Sequence, residues 1–142
     1  MLLGVVGYVI ALPGLTIGGV TFDVHTLLVA SMALQFGFQS AAFAVLTTTY
    51  AIKHRLRPST RRVDRFFEIF TLERGAVMGL VAAVGGAAAI LAAFLTWYDA
   101  GFGPLDYSST MRMVIPGATL VTLGVSLILN SFLCSMLGLD RR

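Results

Sequence analysis

Three stretches free of Asp, Glu, Lys and Arg, Val24 to Ile52, Gly75 to Tyr98 and Val114 to Leu139, constrain this chain more than any motif does. Each exceeds the roughly 18 residues that mark a membrane-spanning helix. At about 1.5 Å per residue they reach about 36 to 43 Å, enough to cross a hydrocarbon core of about 30 Å with tilt or overhang. Composition points the same way: 57% of the residues are hydrophobic and 12% charged, and the mean hydropathy is +0.87, which excludes a water-soluble globular fold. The expected class is an all-α membrane protein. It would be a bundle of four helical segments in a single domain over residues 1–142, with apolar segments at 1–20, 24–52, 75–98 and 114–139.

The first segment differs from the others. Met1 to Leu12 is apolar, but Pro13-Gly14 cuts it, and at the same rise it reaches only about 18 Å. No Lys or Arg precedes the stretch and no small-x-small cleavage site with a mature domain follows it, so it does not read as a secretory signal. The expectation is a truncated first helix whose missing turns lie upstream of Met1. The single cysteine, Cys134, sits in an apolar run and reads as a small packing residue.

Charge is distributed very unevenly. The net charge is +3, and Lys53, Arg55, Arg57, Arg61, Arg62, Arg65 and Arg74 all fall between the second and third apolar segments. Arg141 and Arg142 close the chain, leaving Arg112 alone elsewhere. The positive-inside bias then puts the basic loop at 53–74 and the C-terminus in the cytoplasm of a prokaryotic inner (plasma) membrane. Such a basic, apolar chain suggests anionic lipid headgroups as its partners and no nucleic acid.

Within the basic loop, Val63, Phe66, Phe67 and Phe70 recur at 0, 3, 4 and 7, after Pro58 and the capping candidates Ser59 and Thr60. Arg61, Arg62, Asp64, Arg65 and Glu68 take the other side. This spacing predicts an amphipathic helix lying in the headgroup plane, with rings in the bilayer and guanidinium groups at the phosphates. Two readings stay open: a basic loop that sets topology, or a docking surface for a lipid phosphate or an attached domain.

Helices in lipid gain little from hydrophobicity against one another, so small and polar residues must hold them together. Gly75 with Gly79, Ala82 with Gly86 and Ala83 with Ala87 give small-x-x-x-small pairs along the third segment. Ser31, Gln35 and Gln39 form a polar stripe on the second segment, as do Ser126 and Asn130 on the fourth with Ser131 and Ser135 beside them. No ionisable residue accompanies them, so they read as interhelical packing, and a proton-driven pump is disfavoured.

The remaining polar residues sit at segment ends. Asp23 and His25 read as an interfacial helix start, with Asp23 near the N-terminal dipole, because two ligands do not make a metal site. Asp106, Ser108, Ser109 and Arg112 precede the last segment, and Pro116 is expected in its first turns. Trp97, Tyr98 and Tyr107 read as an outer aromatic belt. The seven acids contain no i, i+2 pair, and there is no Gly-rich phosphate loop, Gly-x-Ser-x-Gly elbow or His-Glu-x-x-His. No catalytic or metal-binding residue is therefore assigned in this chain.

Particular strings carry a family likeness: residues 18–28 (GGVTFDVHTLL), 37–40 (GFQS), 71–75 (TLERG), 101–106 (GFGPLD), 111–116 (MRMVIP) and 131–133 (SFL). In this order, from about Gly18 onward, they resemble the C-terminal membrane region of bacterial family 2 glycosyltransferases, of the dolichol-phosphate mannosyltransferase or polyprenyl-phosphate sugar synthase type. The resemblance implies a cytoplasmic catalytic domain or subunit as partner, one that transfers a sugar from a nucleotide donor to polyprenyl phosphate. It implies no cofactor in this chain, with any divalent metal held by the catalytic domain. By position it puts Lys53, Arg55, Arg57, Arg61, Arg62, Arg65, Glu73 and Arg74 where that domain meets the membrane and the lipid phosphate. The expected role is to anchor and position the lipid acceptor, without catalysis by the chain alone. A homo-oligomer is compatible with this. The alternative is a small four-helix transporter or flippase accessory for lipid-linked sugars, with Gln35, Gln39 and Asn130 lining a path; a gene fragment is a third.

Overall fold

The structure, a computed structural model, describes residues 1–14, 16–17, 20–54, 56, 72–104 and 106–138. Among the described residues four helices carry the fold: α1 (Leu2–Ala11), α2 (Val24–Lys53), α3 (Leu72–Asp99) and α4 (Tyr107–Gly138). The last three are long and apolar enough to cross a membrane, and α1 is a shorter apolar helix. The protein is thus a helical integral membrane protein with three candidate spans among the described residues. The amphipathic helix expected within the basic loop at 53–74, with its stripe from Val63 to Phe70, lies outside the described residues.

Two features depart from the expected segments. Beyond the Pro13-Gly14 turn the chain forms a small antiparallel ladder, β1 (Thr16–Ile17) with β2 (Val20–Thr21), Thr16 opposite Thr21 and Ile17 opposite Val20. The residues are β-branched, and the sequence between the strands is Gly18-Gly19, a dipeptide favoured in two-residue hairpin connections. The other departure is α4, which begins at Tyr107, two turns before the run that starts at Val114. Asp106 explains the early start: its Oδ2 accepts from the Ser109 N–H at 3.3 Å, and its carbonyl accepts from Thr110 N–H at 3.1 Å. Pro116 therefore lies in the helix interior, where the missing N–H leaves the Arg112 carbonyl without its i+4 donor.

Packing is serial. α1 lies on α2, α2 on α4, and α4 on α3, the last being the most extensive contact. The α3–α4 pair is antiparallel, and glycines at seven-residue spacing on each helix meet across it. A methyl group on Gly79 would come within 2.6 Å of the Gly124 carbonyl oxygen, and one on Gly117 within 3.0 Å of the Gly86 carbonyl oxygen. The backbones are in contact there, which is how helices gain dispersion energy in a solvent as apolar as themselves. Of the small-residue pairs read from the sequence, Gly79, Ala83 and Gly86 lie on this seam; the partners Gly117 and Gly124 were not singled out. α1 meets α2 the same way, Gly4 against the Leu34 backbone and Gly7 against Ala30.

α3 ends in a Schellman closure. Gly101, at φ +64, donates to the Tyr98 carbonyl at 2.9 Å, and Phe102 N–H to the Trp97 carbonyl at 3.1 Å. The Phe102 ring then packs edge-on against Trp97, with centroids 4.8 Å apart. The chain covers little of its own apolar surface: Leu27 and Val24 are the largest fully buried side chains, whereas Leu2 and Leu3 are 83% exposed. That distribution is inverted relative to a water-soluble fold, as lipid-facing helices require.

Candidate functional site

The antiparallel α1–α2 and α3–α4 pairs give the bundle two polar ends. At one end Lys53 occupies the last turn of α2, and Glu73 and Arg74 the first turn of α3. Lys53 and Glu73 suit the helix dipoles, a cation at a C-terminus and a carboxylate at an N-terminus, whereas Arg74 does not. All three side chains are exposed. His54 follows Lys53, its ring 4.2 Å from that of Tyr50. Arg55, Arg57, Arg61, Arg62 and Arg65 lie outside the described residues.

The opposite end holds a cluster that the sequence did not bring together. Asp23 is the N-cap residue of α2, yet no side-chain capping bond forms there. Its carboxylate instead faces α4: Arg112 Nη2 stands 3.7 Å from Oδ1, and Ser108 Oγ donates to the same oxygen at 3.4 Å. The Arg112 guanidinium also lies against Gly14, at φ +71, where a methyl group would collide with it. Arg112 thus joins the α1 exit, the α2 start and α4. Its Nε is buried with no hydrogen-bond partner among the described residues. Asp23 is a helix start, as its position suggested, but its charge serves α4 rather than its own helix.

Deeper in the membrane, most polar side chains turn back on their own helices. Ser31 Oγ donates to the Leu28 carbonyl at 2.7 Å, Asn130 Nδ2 to the Ser126 carbonyl at 2.7 Å, and Ser131 Oγ to the Leu127 carbonyl at 2.7 Å. They join no helices by hydrogen bonds. An interhelical bond does exist at positions with no periodic signal: Tyr8 of α1 donates to Thr119 Oγ1 of α4 at 2.7 Å, and the Thr119 hydroxyl donates in turn to the Ile115 carbonyl at 2.7 Å. Gln35 and Gln39 do meet α4. With Met32, Phe36, Thr122 and Ser126 they line a groove of about 280 Å³ between α2 and α4.

A second hollow, of about 360 Å³, lies between the end of α3 and the start of α4, walled by Phe94, Trp97, Tyr107, Met111 and aliphatic neighbours. Neither hollow holds a nucleophile–base pair. Among the described residues no three His, Cys, Asp or Glu side chains come together as a metal site would need.

Residues 45–138 match the glycosyltransferase family 2 C-terminal transmembrane region. The chain is also similar to the low-salt glycan biosynthesis hexosyltransferase Agl6 of Haloferax volcanii, 30% identical over 143 residues that cover 96% of this chain. The alignment takes in 32% of that relative, so the chain spans about a third of its length. No solved structure matches. The matched region begins in the second half of α2 and runs through α3 and α4: the chain belongs to the family described as the glycosyltransferase family 2 C-terminal transmembrane region.

Proposed function

We propose that residues 1–142 act as one membrane domain, of the dolichol-phosphate mannosyltransferase or polyprenyl-phosphate sugar synthase type. It anchors a cytoplasmic catalytic domain or subunit and holds the polyprenyl phosphate acceptor at that partner's door. The observation that carries the reading is the family match across α3, α4 and the last nine residues of α2, joined to similarity with one third of a hexosyltransferase. The chain itself contributes position rather than chemistry. The basic end, with Lys53, Arg74 and the arginines between them, faces the cytoplasm of a plasma membrane under this reading. Guanidinium groups there suit a lipid phosphate through paired, charge-assisted hydrogen bonds. Nucleotide sugar and any divalent metal belong to the catalytic partner.

The transporter alternative is the weaker one. The α3–α4 seam is closed by backbone contact, and both hollows have mostly apolar walls that offer a sugar few hydrogen bonds. The test is photolabelling in vesicles with a photoactivatable polyprenyl phosphate, against the matching polyprenol. Labelling of the peptide 53–74 by the phosphate but not the alcohol is expected, and its loss when Arg61, Arg62, Arg65 and Arg74 are all changed to Gln. Equal labelling of the wild type and the variant would sink the acceptor role.

A further inference from the structure

Gln35 and Gln39 present a physical problem that the anchoring role does not solve. Gln39 is the sixteenth residue of the 30-residue α2, about 22 Å from either helix end at the usual rise, too far for a glutamine to reach a headgroup layer. Gln35 lies one turn away on the same face. Around them the Ser and Thr side chains are satisfied by their own helix: Ser40 donates to the Phe36 carbonyl at 2.8 Å, Thr47 to the Phe43 carbonyl at 2.9 Å, and Thr49 to the Val45 carbonyl at 2.8 Å. No hydrogen bond among the described residues reaches either Gln carboxamide. Gln39 is exposed, flanked by Phe36 at 69% and Met32 at 51% exposure. A primary amide left bare in hydrocarbon costs several kcal/mol, so something must cover it.

We infer that the α2 face carrying Gln35 and Gln39 is an interface between two copies of this chain, with the carboxamides pairing at mid-membrane. The chemistry selects the occupant. Two copies inserted with the same topology and related by a twofold axis along the membrane normal place each residue at the same depth as its mate. A closed two-fold interface therefore needs self-complementary groups. A carboxamide is self-complementary, since it donates through NH₂ and accepts through C=O, and two of them close a pair of hydrogen bonds. A lysine or a carboxylate at the same position would repel its mate. The groove between α2 and α4, with Ser126 on its far wall, gives the partner's Phe36 and Met32 side chains a recess to enter. Lipid chains can fill the recess but cannot satisfy the amides.

Disulfide trapping in vesicles tests this in a Cys134→Ala background. Gln39→Cys is expected to form a covalent dimer on mild oxidation, whereas Val84→Cys, at a position 60% exposed on α3, is expected to stay monomeric. Separately, Gln35→Leu with Gln39→Leu preserves bulk and helix propensity, so the chain folds while self-association in bilayers weakens roughly tenfold. Unchanged association of that double variant overturns the inference, as does equal trapping at Val84→Cys. So does a monomer whose Gln39→Cys reacts with a water-soluble maleimide, which would mean that water covers the amides.

Discussion

Arg112 of α4 reaches Asp23 at the start of α2 across 3.7 Å, and the same guanidinium rests on Gly14 at the exit of α1. One side chain therefore ties three elements at the end of the bundle away from Lys53 and Arg74. The pair is partly solvated, 31% exposed on Arg112 and 52% on Asp23, so its Coulomb energy is strongly screened.

The ion pair itself is expected to contribute little. A double-mutant cycle with Asp23→Asn and Arg112→Gln should give a coupling energy below about 1 kcal/mol in unfolding measurements in detergent or bilayer. Gly14→Ala should cost more, about 1 kcal/mol for the left-handed backbone and a further increment for the collision with the guanidinium. Removing the arginine should relieve only that increment. Equal cost of Gly14→Ala with Arg112 present or absent would show that the two residues do not press on one another.

The α3–α4 seam makes a sharper prediction. Gly79→Ala and Gly86→Ala each drive a methyl group into the facing backbone and should destabilise the pair by about 1–3 kcal/mol. Gly85→Ala lies beside them in sequence but meets nothing within 4 Å, so it should be neutral or stabilising by roughly 0.5–1 kcal/mol through helix propensity. Thermal unfolding of the three variants decides it. A ranking in which Gly85→Ala is the worst would mean that the helices meet on another face.

How much of this was legible follows from which interactions have a period. Lipid-facing apolar runs repeat over whole helices, so α2 and α3 were readable to within a few residues from charge-free stretches. The start of α4 was not, because Arg112 and Asp106 broke the run while Asp106 was in fact capping the helix. Gly79 and Gly86 were visible as small residues. Their partners Gly117 and Gly124 were not, since a seven-residue spacing shows nothing until the facing helix is known. Asp23 with Arg112, and Tyr8 with Thr119, join positions 89 and 111 residues apart, and no local pattern encodes such a pairing. The basic segment between Lys53 and Arg74 was the plainest feature in the sequence.

The Tyr8–Thr119 bond has an asymmetry that mutagenesis should expose. Tyr8→Phe removes a donor and leaves Thr119 still donating to the Ile115 carbonyl, so about 0.5 kcal/mol is expected. Thr119→Val keeps the volume but strands the Tyr8 hydroxyl beside a buried aliphatic surface, and should cost about 1–2 kcal/mol. Steric-trap or unfolding measurements that found the two variants equal would place the hydroxyl of Tyr8 in water or headgroups rather than against α4.

Orientation is testable without any ligand. In a Cys134→Ala background, Leu56→Cys, 75% exposed beyond the end of α2, and Phe102→Cys, 54% exposed in the α3–α4 turn, mark opposite ends of the bundle. If the basic end faces the cytoplasm, an impermeant maleimide added to intact cells should label Phe102→Cys and spare Leu56→Cys until the membrane is opened. The reverse pattern would put the arginines outside, away from any nucleotide sugar, and the acceptor-positioning role would fall with it. Labelling of both in intact cells would mean that the chain inserts in two orientations. The seven Lys and Arg residues between positions 53 and 74, against Arg112 alone at the other end, make that outcome physically unfavourable.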